Sequence, residues 1–245
     1  VLSKQAEPAS IDKLIIFSNE GDGTSTDISG GIVQFQYYES ILQDSIRATV
    51  TYADTGNAVN GKTAMDGLPI VGTEEVNVVF RDNLEKKLNL KLYVNKVTPF
   101  ADSSTKNLVQ LDLVSKEFIL NEKTRLNKRF DGRISEHIKK ILTNGNRNGL
   151  ETTKDLDIEE TSNNYNFFGN NKKPYYTMNW LCKMSVSAEN QKSGDSAGYF
   201  FYETAEGFKF KSIDGLLSQK QKKSIMFNDS SDKQNVPSGY DVKAL

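Results

Sequence analysis

The 245-residue chain has one cysteine, Cys182, and one histidine, His137. A lone thiol forms no internal disulfide, and two such residues make no Cys/His set for zinc, iron or haem, so disulfide scaffolds and transition-metal centres are excluded. Long apolar runs are also missing. No uninterrupted run exceeds that of Leu14 to Phe17, far below the roughly 20 residues of a membrane helix, so no membrane partner is expected. The chain opens on Val1 with no basic stretch leading into an apolar one. No signal peptide is expected, and a processed or trimmed start is. Nor does either charge dominate: 31 basic and 32 acidic residues give a formal charge of −1, which argues against a dedicated duplex-DNA binder.

What is present is ordinary globular composition, 37% hydrophobic, 26% charged and 10% aromatic, and a length that allows one large domain or, as expected here, two of ordinary size. The neutral total hides an uneven distribution. Residues 1–115 carry 10 basic and 15 acidic groups, whereas residues 116–147 carry 9 and 4.

Up to residue 115 the pattern is strand after strand. Val33, Phe35 and Tyr37 alternate with Gln34 and Gln36, and Ile46, Ala48, Val50 and Tyr52 alternate with Arg47, Thr49 and Thr51. Val76 to Phe80, Leu88 to Val94 and Val109 to Leu113 repeat that period of two, the mark of half-buried antiparallel strands. Turn-rich stretches at Asn19 to Gly31 and Ala101 to Asn107 separate them. A small β-barrel or sandwich is expected.

Beyond Lys116 the period changes. Ile134, Ile138, Ile141 and Leu142 share one helical face, and Asn144-Gly145 provides a stop. Residues 143–173 read as mostly loop. A second helix is expected from Thr177, as its N-cap, through Trp180, Leu181, Met184 and Ala188 to about Glu189. Tyr199 to Glu203 and Phe208 to Ile213 flank Thr204-Ala205-Glu206-Gly207 as a β-hairpin with Gly where positive φ is usual. After it come a polar tract, Gln219 to Lys223, a short apolar piece, Ile225 to Phe227, and a possible strand start at Tyr240 to Leu245.

Several motifs invite chemistry. Gly56, Gly61, Lys62 and Thr63 match the spacing of the phosphate-cradling loop of nucleotide hydrolases. That loop needs a buried parallel strand before it and a helix starting at the lysine. Here the preceding strand alternates, and Gly67 with Pro69 leaves at most one helical turn, so a loop between strands is expected. Asp112 reads as a solvent-facing strand residue rather than a magnesium ligand. Asp22, Thr24 and Asp27 read as a turn, lacking the sixth-position glycine and terminal glutamate of a calcium loop. His137 reads as a surface or boundary residue, and Cys182 as a small buried hydrophobe. The pair Glu159-Glu160 has the residue types of a glycosidase but no visible cleft. Lys123, Arg125, Lys128, Arg129 and Arg133 read as a solvated linker and helix start rather than a phosphate contact. Asn228-Asp229-Ser230 fits a glycosylation acceptor. No catalytic, cofactor-binding or metal residue is assigned, and no enzyme is expected.

The helix start Tyr175-Tyr176-Thr177-Met178-Asn179-Trp180-Leu181, followed by Gly198-Tyr199-Phe200-Phe201-Tyr202-Glu203 and Gly207-Phe208-Lys209-Phe210-Lys211-Ser212-Ile213, resembles the helix and aromatic hairpin of baseplate central hub proteins of contractile-tailed bacteriophages. The alternation over residues 31–55 and 76–114 is similar to that family's first barrel. The resemblance implies an α+β, mainly β fold. Residues 1–115 would form an antiparallel tube-like β-barrel domain, completed by residues 216–245. Residues 116–215 would form an inserted α+β domain of two helices and the aromatic hairpin. Further domains would lie beyond residue 245. It also implies a structural protein of the virion, assembled in the host cytoplasm. Such a homotrimer joins the sixfold tail tube to the threefold central spike, meets other baseplate proteins, and surrounds a channel through which DNA passes without specific binding. The spike-hub of type VI secretion shares that architecture and stays open as an alternative. So do a nucleotide-dependent protein using Lys62 and a glycan-binding β-protein using Tyr165, Phe167 and Phe168. The acidic excess in residues 1–115 suits a channel that does not hold phosphates.

Overall fold

The computed structural model describes residues 10–220 other than 55, 57, 82–85, 103–106, 146–147 and 189–197. The expected completion of the barrel by residues 216–245, and the features at 225–230 and 240–245, lie largely or wholly outside the described residues. The fold is α+β and mainly β.

Seven strands form one sheet: β1 (Ser10–Phe17), β2 (Ser25–Asp27), β3 (Ile32–Tyr38), β4 (Arg47–Asp54), β5 (Glu75–Arg81), β6 (Lys87–Asp102) and β7 (Asn107–Val114). Their order is β2-β1-β5-β6-β7-β4-β3, and every neighbouring pair is antiparallel. The alternation places Ala48, Val50 and Tyr52 inward with Val76, Val78, Leu90, Leu92, Leu111 and Leu113, all buried in one core. The sheet curls strongly. Phe35 of β3 lies four strands from Phe80 of β5, about 19 Å away in a flat sheet, yet their ring centroids are 5.4 Å apart. Register shifts in β6 at Val94/Lys96 and Pro99/Ala101 supply bends of the kind that bulges give. The result is a half-barrel whose edges are β2 and β3.

A four-residue helix, α1 (Ala64–Gly67), follows β4. After β7 come α2 (Lys116–Lys123), β8 (Arg129–Phe130), α3 (Ile134–Thr143), β9 (Leu156–Ile158), β10 (Phe167–Phe168), α4 (Pro174–Cys182), β11 (Tyr199–Thr204), β12 (Gly207–Ser212) and α5 (Ile213–Leu217). A second core gathers Ile134, Ile138, Ile141 and Leu142 of α3, Met178 and Leu181 of α4, and Phe201, Phe208 and Phe210 of the hairpin. The α3 spacing and the hairpin follow the sequence pattern, with Gly207 at φ 132°.

Three expectations need correction. Helix α4 begins at Pro174, not with Thr177 as N-cap: proline at the first helical position needs no N–H partner. Thr177 lies inside the helix, donating its hydroxyl to the Lys173 carbonyl at 3.1 Å. The helix stops at Cys182. Helix α2 is an element the periodicity did not show, and residues 143–173 hold two short strands, one of which, β9, pairs parallel with β12.

Candidate functional site: a free sheet edge and a buried junction

The outer edge of β3 carries no ladder partner among the described residues, and its exposed side chains are mixed, Val33 and Tyr38 beside the polar Gln34 and Gln36. Val33 is 64% exposed and Leu42, in the following loop, 78%; Tyr38 and Ile41 are exposed as well. A strand paired on one side only, as β3 is with β4, offers the backbone donors and acceptors of its other side to another strand.

The loop from β3 to β4 also ties the half-barrel to the second core. Glu203 of β11 is 1% exposed and accepts the Ile46 N–H at 3.1 Å. Lys154 donates to the other oxygen of Glu203 and to Glu117 of α2 at 2.8 Å, while Thr152 donates to Glu117 at 2.6 Å. Burial raises the Glu203 pKa above the ordinary carboxylate value, against the pull of Lys154. Burial opposes charge on Lys154 too, but the two carboxylates beside it, Glu203 and Glu117, hold its pKa above the usual value. At the hairpin tip the Ala205 N–H donates to Glu39, and Asn179 of α4 donates to Asp44 at 3.4 Å. The aromatic hairpin is therefore the joint between the two cores.

The part of the Gly56 to Thr63 match from Ala58 on is a turn. The Lys62 N–H donates to the Val59 carbonyl at 2.9 Å, and the Ala58 N–H to the Lys62 carbonyl at 2.9 Å. Thr63 caps the four-residue α1, and the buried Asp54 carboxylate accepts the Ala64 N–H at 2.7 Å. The place a phosphate would need is filled by the chain's own anion, and β4 is antiparallel to both neighbours. Asp112 bonds Gln110 at 3.0 Å on its own strand. Asp22 accepts the Thr24 N–H at 2.9 Å and Asp27 the Ser29 N–H at 2.9 Å, so both stabilise turns.

His137 is not a surface residue: it is 0% exposed, edge-on to Phe130 and Phe167, with Nε2 at 2.9 Å from the Tyr165 carbonyl. Burial pushes its pKa down, against that hydrogen bond and with help from Lys140. Cys182 is buried, and burial pushes its thiol up to about 12. Glu159 and Glu160 diverge. Glu159 accepts from Ser212 N at 2.9 Å, Ser212 Oγ at 2.8 Å, Ser187 Oγ at 2.9 Å and Tyr199 OH at 3.1 Å. Burial opposes its ionisation, yet these donors bring its pKa below the usual value. Glu160 instead faces Arg133 at 3.9 Å. Among the basic residues, Arg129 pairs with Asp131 at 2.9 Å, and Arg125 donates to the Thr124 carbonyl at 2.8 Å. Tyr165 and Phe167 turn inward against the second core, and only Phe168 of that trio is exposed. Sequence reasoning missed Lys154, Glu117 and Glu203, which are ordinary charged residues until the fold brings them together.

No family model and no curated protein matches this chain. Solved structures do. The 43 kDa tail protein of prophage MuSo2 from Shewanella oneidensis aligns with a TM-score of 0.53 at 10% identity, covering 82% of this chain and 54% of that one. A tail protein from Neisseria meningitidis MC58 aligns with a TM-score of 0.55 at 8% identity, covering 93% of this chain and 58% of that one. This chain thus spans a little over half the length of either. The fold of this chain is similar to that of these tail proteins, in agreement with the resemblance carried by its helix and hairpin.

Proposed function

We propose that this chain is a structural protein of a phage tail: a baseplate hub subunit that joins the sixfold tail tube to the threefold central spike. The observation that carries this reading is the curled antiparallel fold similar to that of solved tail proteins, ending in a β3 edge that has no ladder partner among the described residues and leaves Val33 and the nearby Leu42 exposed. In this reading residues 1–115 are the tube-like barrel domain and residues 116–215 an inserted domain on the outside of the ring. Three copies associate through the half-barrel edges and surround a channel. The 10 basic against 15 acidic residues of the first 115 favour a wall along which DNA slides without being held. Other baseplate proteins meet the outer domain.

The test is to charge the edge. Val33→Lys with Leu42→Lys places ammonium groups on exposed positions, a device that blocks strand pairing without touching a core. The reading expects a folded chain that no longer assembles; assembly identical to that of the unaltered protein would contradict it.

A further inference from the structure

We infer that a cleft on the second core, between β10 and α4, is a saccharide site that takes a carboxylate-bearing pyranose of an acidic glycan. The cleft has a volume of about 160 Å³ and is lined by Phe168, Asn170, Lys172, Tyr176, Thr177 and Trp180. It belongs to neither the β3 edge nor the buried junction, and it does not rest on the assembly reading.

The lining has two parts with different chemistry. Phe168 is 51% and Tyr176 58% exposed, and Tyr176 and Trp180 stand one helical turn apart on α4, so they share a face. Trp180 is held edge-on by Tyr165 and Phe167, with ring centroids at 5.4 Å from each. These rings offer flat apolar surface to the C–H face of a sugar, while Asn170 and Lys172 offer polar groups to its hydroxyl and acid substituents. Apolar lining with a few polar groups is the ordinary makeup of a small-ligand site. Openness to water on one side suits a ligand that keeps most of its hydroxyls hydrated.

The walls are fixed before any ligand arrives. Gly169 lies so close to the Leu126 carbonyl that a Cβ would stand 2.6 Å from its oxygen. The Gly169 N–H donates to Lys128, the Asn171 N–H to Leu126 and the Leu126 N–H to Lys172, each at 2.9 Å. On the other wall Asn121 of α2 accepts the Tyr175 N–H at 2.8 Å, anchoring the first turn of α4. A rigid site loses little freedom on binding.

Charge selects the ligand. The Lys172 ammonium stands over the Tyr176 ring at 5.3 Å, and Lys172 has no carboxylate partner among the described residues. Of the neighbouring cations, Arg129 pairs with Asp131, Lys173 with Glu122 and Lys140 with Glu136 at 3.9 Å, while the Lys128 ammonium stands over the Phe130 ring at 5.1 Å and is not part of the lining. One cation on the lining itself, beside aromatic rings, suits one acid group. A nucleic-acid strand, the other ligand of basic aromatic surfaces, needs a row of phosphate contacts along its backbone.

The chain has a single tryptophan, so its fluorescence reports on this cleft alone. A glycan array selects acidic and neutral oligosaccharides, which are then titrated into the protein beside oligodeoxythymidylate, with Tyr176→Ala and Lys172→Gln as variants at exposed positions. We expect a saturable Trp180 response to an acidic oligosaccharide. It should weaken about tenfold or more in Tyr176→Ala, the scale of one aromatic stack, and lose its preference over neutral sugar in Lys172→Gln. A flat array with folded protein, a response to the oligonucleotide alone, or a response unchanged in Tyr176→Ala would each overturn the proposal.

Discussion

Glu203 on β11 accepts the backbone N–H of Ile46 at 3.1 Å across 157 positions of sequence, and its other oxygen accepts a hydrogen bond from the Lys154 ammonium. One buried carboxylate thereby fixes the start of β4 to the hairpin that carries the second core. Truncating it by Glu203→Ala leaves the Ile46 N–H without its acceptor and Lys154 with only Glu117. The expected loss is about 3 kcal/mol, the scale for breaking a buried ion pair from one side, read from denaturant unfolding. Glu203→Gln, which keeps an acceptor for the Ile46 N–H, should cost less than Glu203→Ala. An equal or larger cost for Glu203→Gln would contradict this account of the junction.

Gly207, the first residue of β12 after the Ala205-Glu206 turn, has φ 132°, and a Cβ there would stand 2.2 Å from the Asp155 carbonyl oxygen, which also accepts the Phe208 N–H at 2.9 Å. Gly207→Ala should therefore cost about 1–3 kcal/mol through backbone strain and displacement of β9. A melting temperature unchanged from the parent chain would contradict this.

His137 gives the second core a pH dependence of definite sign. Its pKa in the folded chain lies below the usual 6.5, so between those two values the unfolded chain binds more protons. The His137 contribution to stability therefore falls as pH drops from 6.5 and levels off below the folded pKa. Denaturant midpoints measured from pH 7.5 to 4.5 should show a shallower decline in that window for His137→Asn than for the parent.

Cys182, buried with its thiol pushed up to about 12, should resist a thiol reagent at pH 8 in the native chain and react at once in denaturant. Fast native labelling would mean that the end of α4 opens readily.

Lys62 should be dispensable for ligand binding. ATP or GTP should leave the melting temperature unchanged, and Lys62→Ala should alter nothing further, because Asp54 already occupies the N-terminus of α1. A nucleotide-dependent rise that Lys62→Ala abolishes would revive the nucleotide reading.

Strands β3 to β7 of the half-barrel were legible from their alternation, but β1 and β2 were not, because Leu14 to Phe17 is a continuous apolar run and β2 is three residues inside a turn-rich stretch. Helix α3 was legible because its four apolar residues share a face. Helix α2 was not, for a physical reason: its apolar residues Phe118, Ile119 and Leu120 are consecutive, and its buried residues are the polar Glu117 and Asn121, which serve Lys154 and the start of α4. Their purpose exists only in the fold. In the same way, Phe167 and Phe168 are adjacent in a two-residue strand, so one must point in and the other out, and only tertiary packing decides which. The burial of His137 depends on Phe130 and Phe167, and the second of these is 30 positions away. The exposure of Val33 on β3 and of Ile41 and Leu42 in the loop after it was equally hidden, since alternation says which residues share a face but not which strand ends the sheet.

The central claim is assembly, and the mass of the complete protein in solution, by light scattering across concentration, alone and with a central spike protein, tests it most directly. The account predicts a threefold mass, alone or on addition of the spike, lost when Val33 and Leu42 are both replaced by lysine. A strict monomer at every concentration that ignores the spike would contradict it.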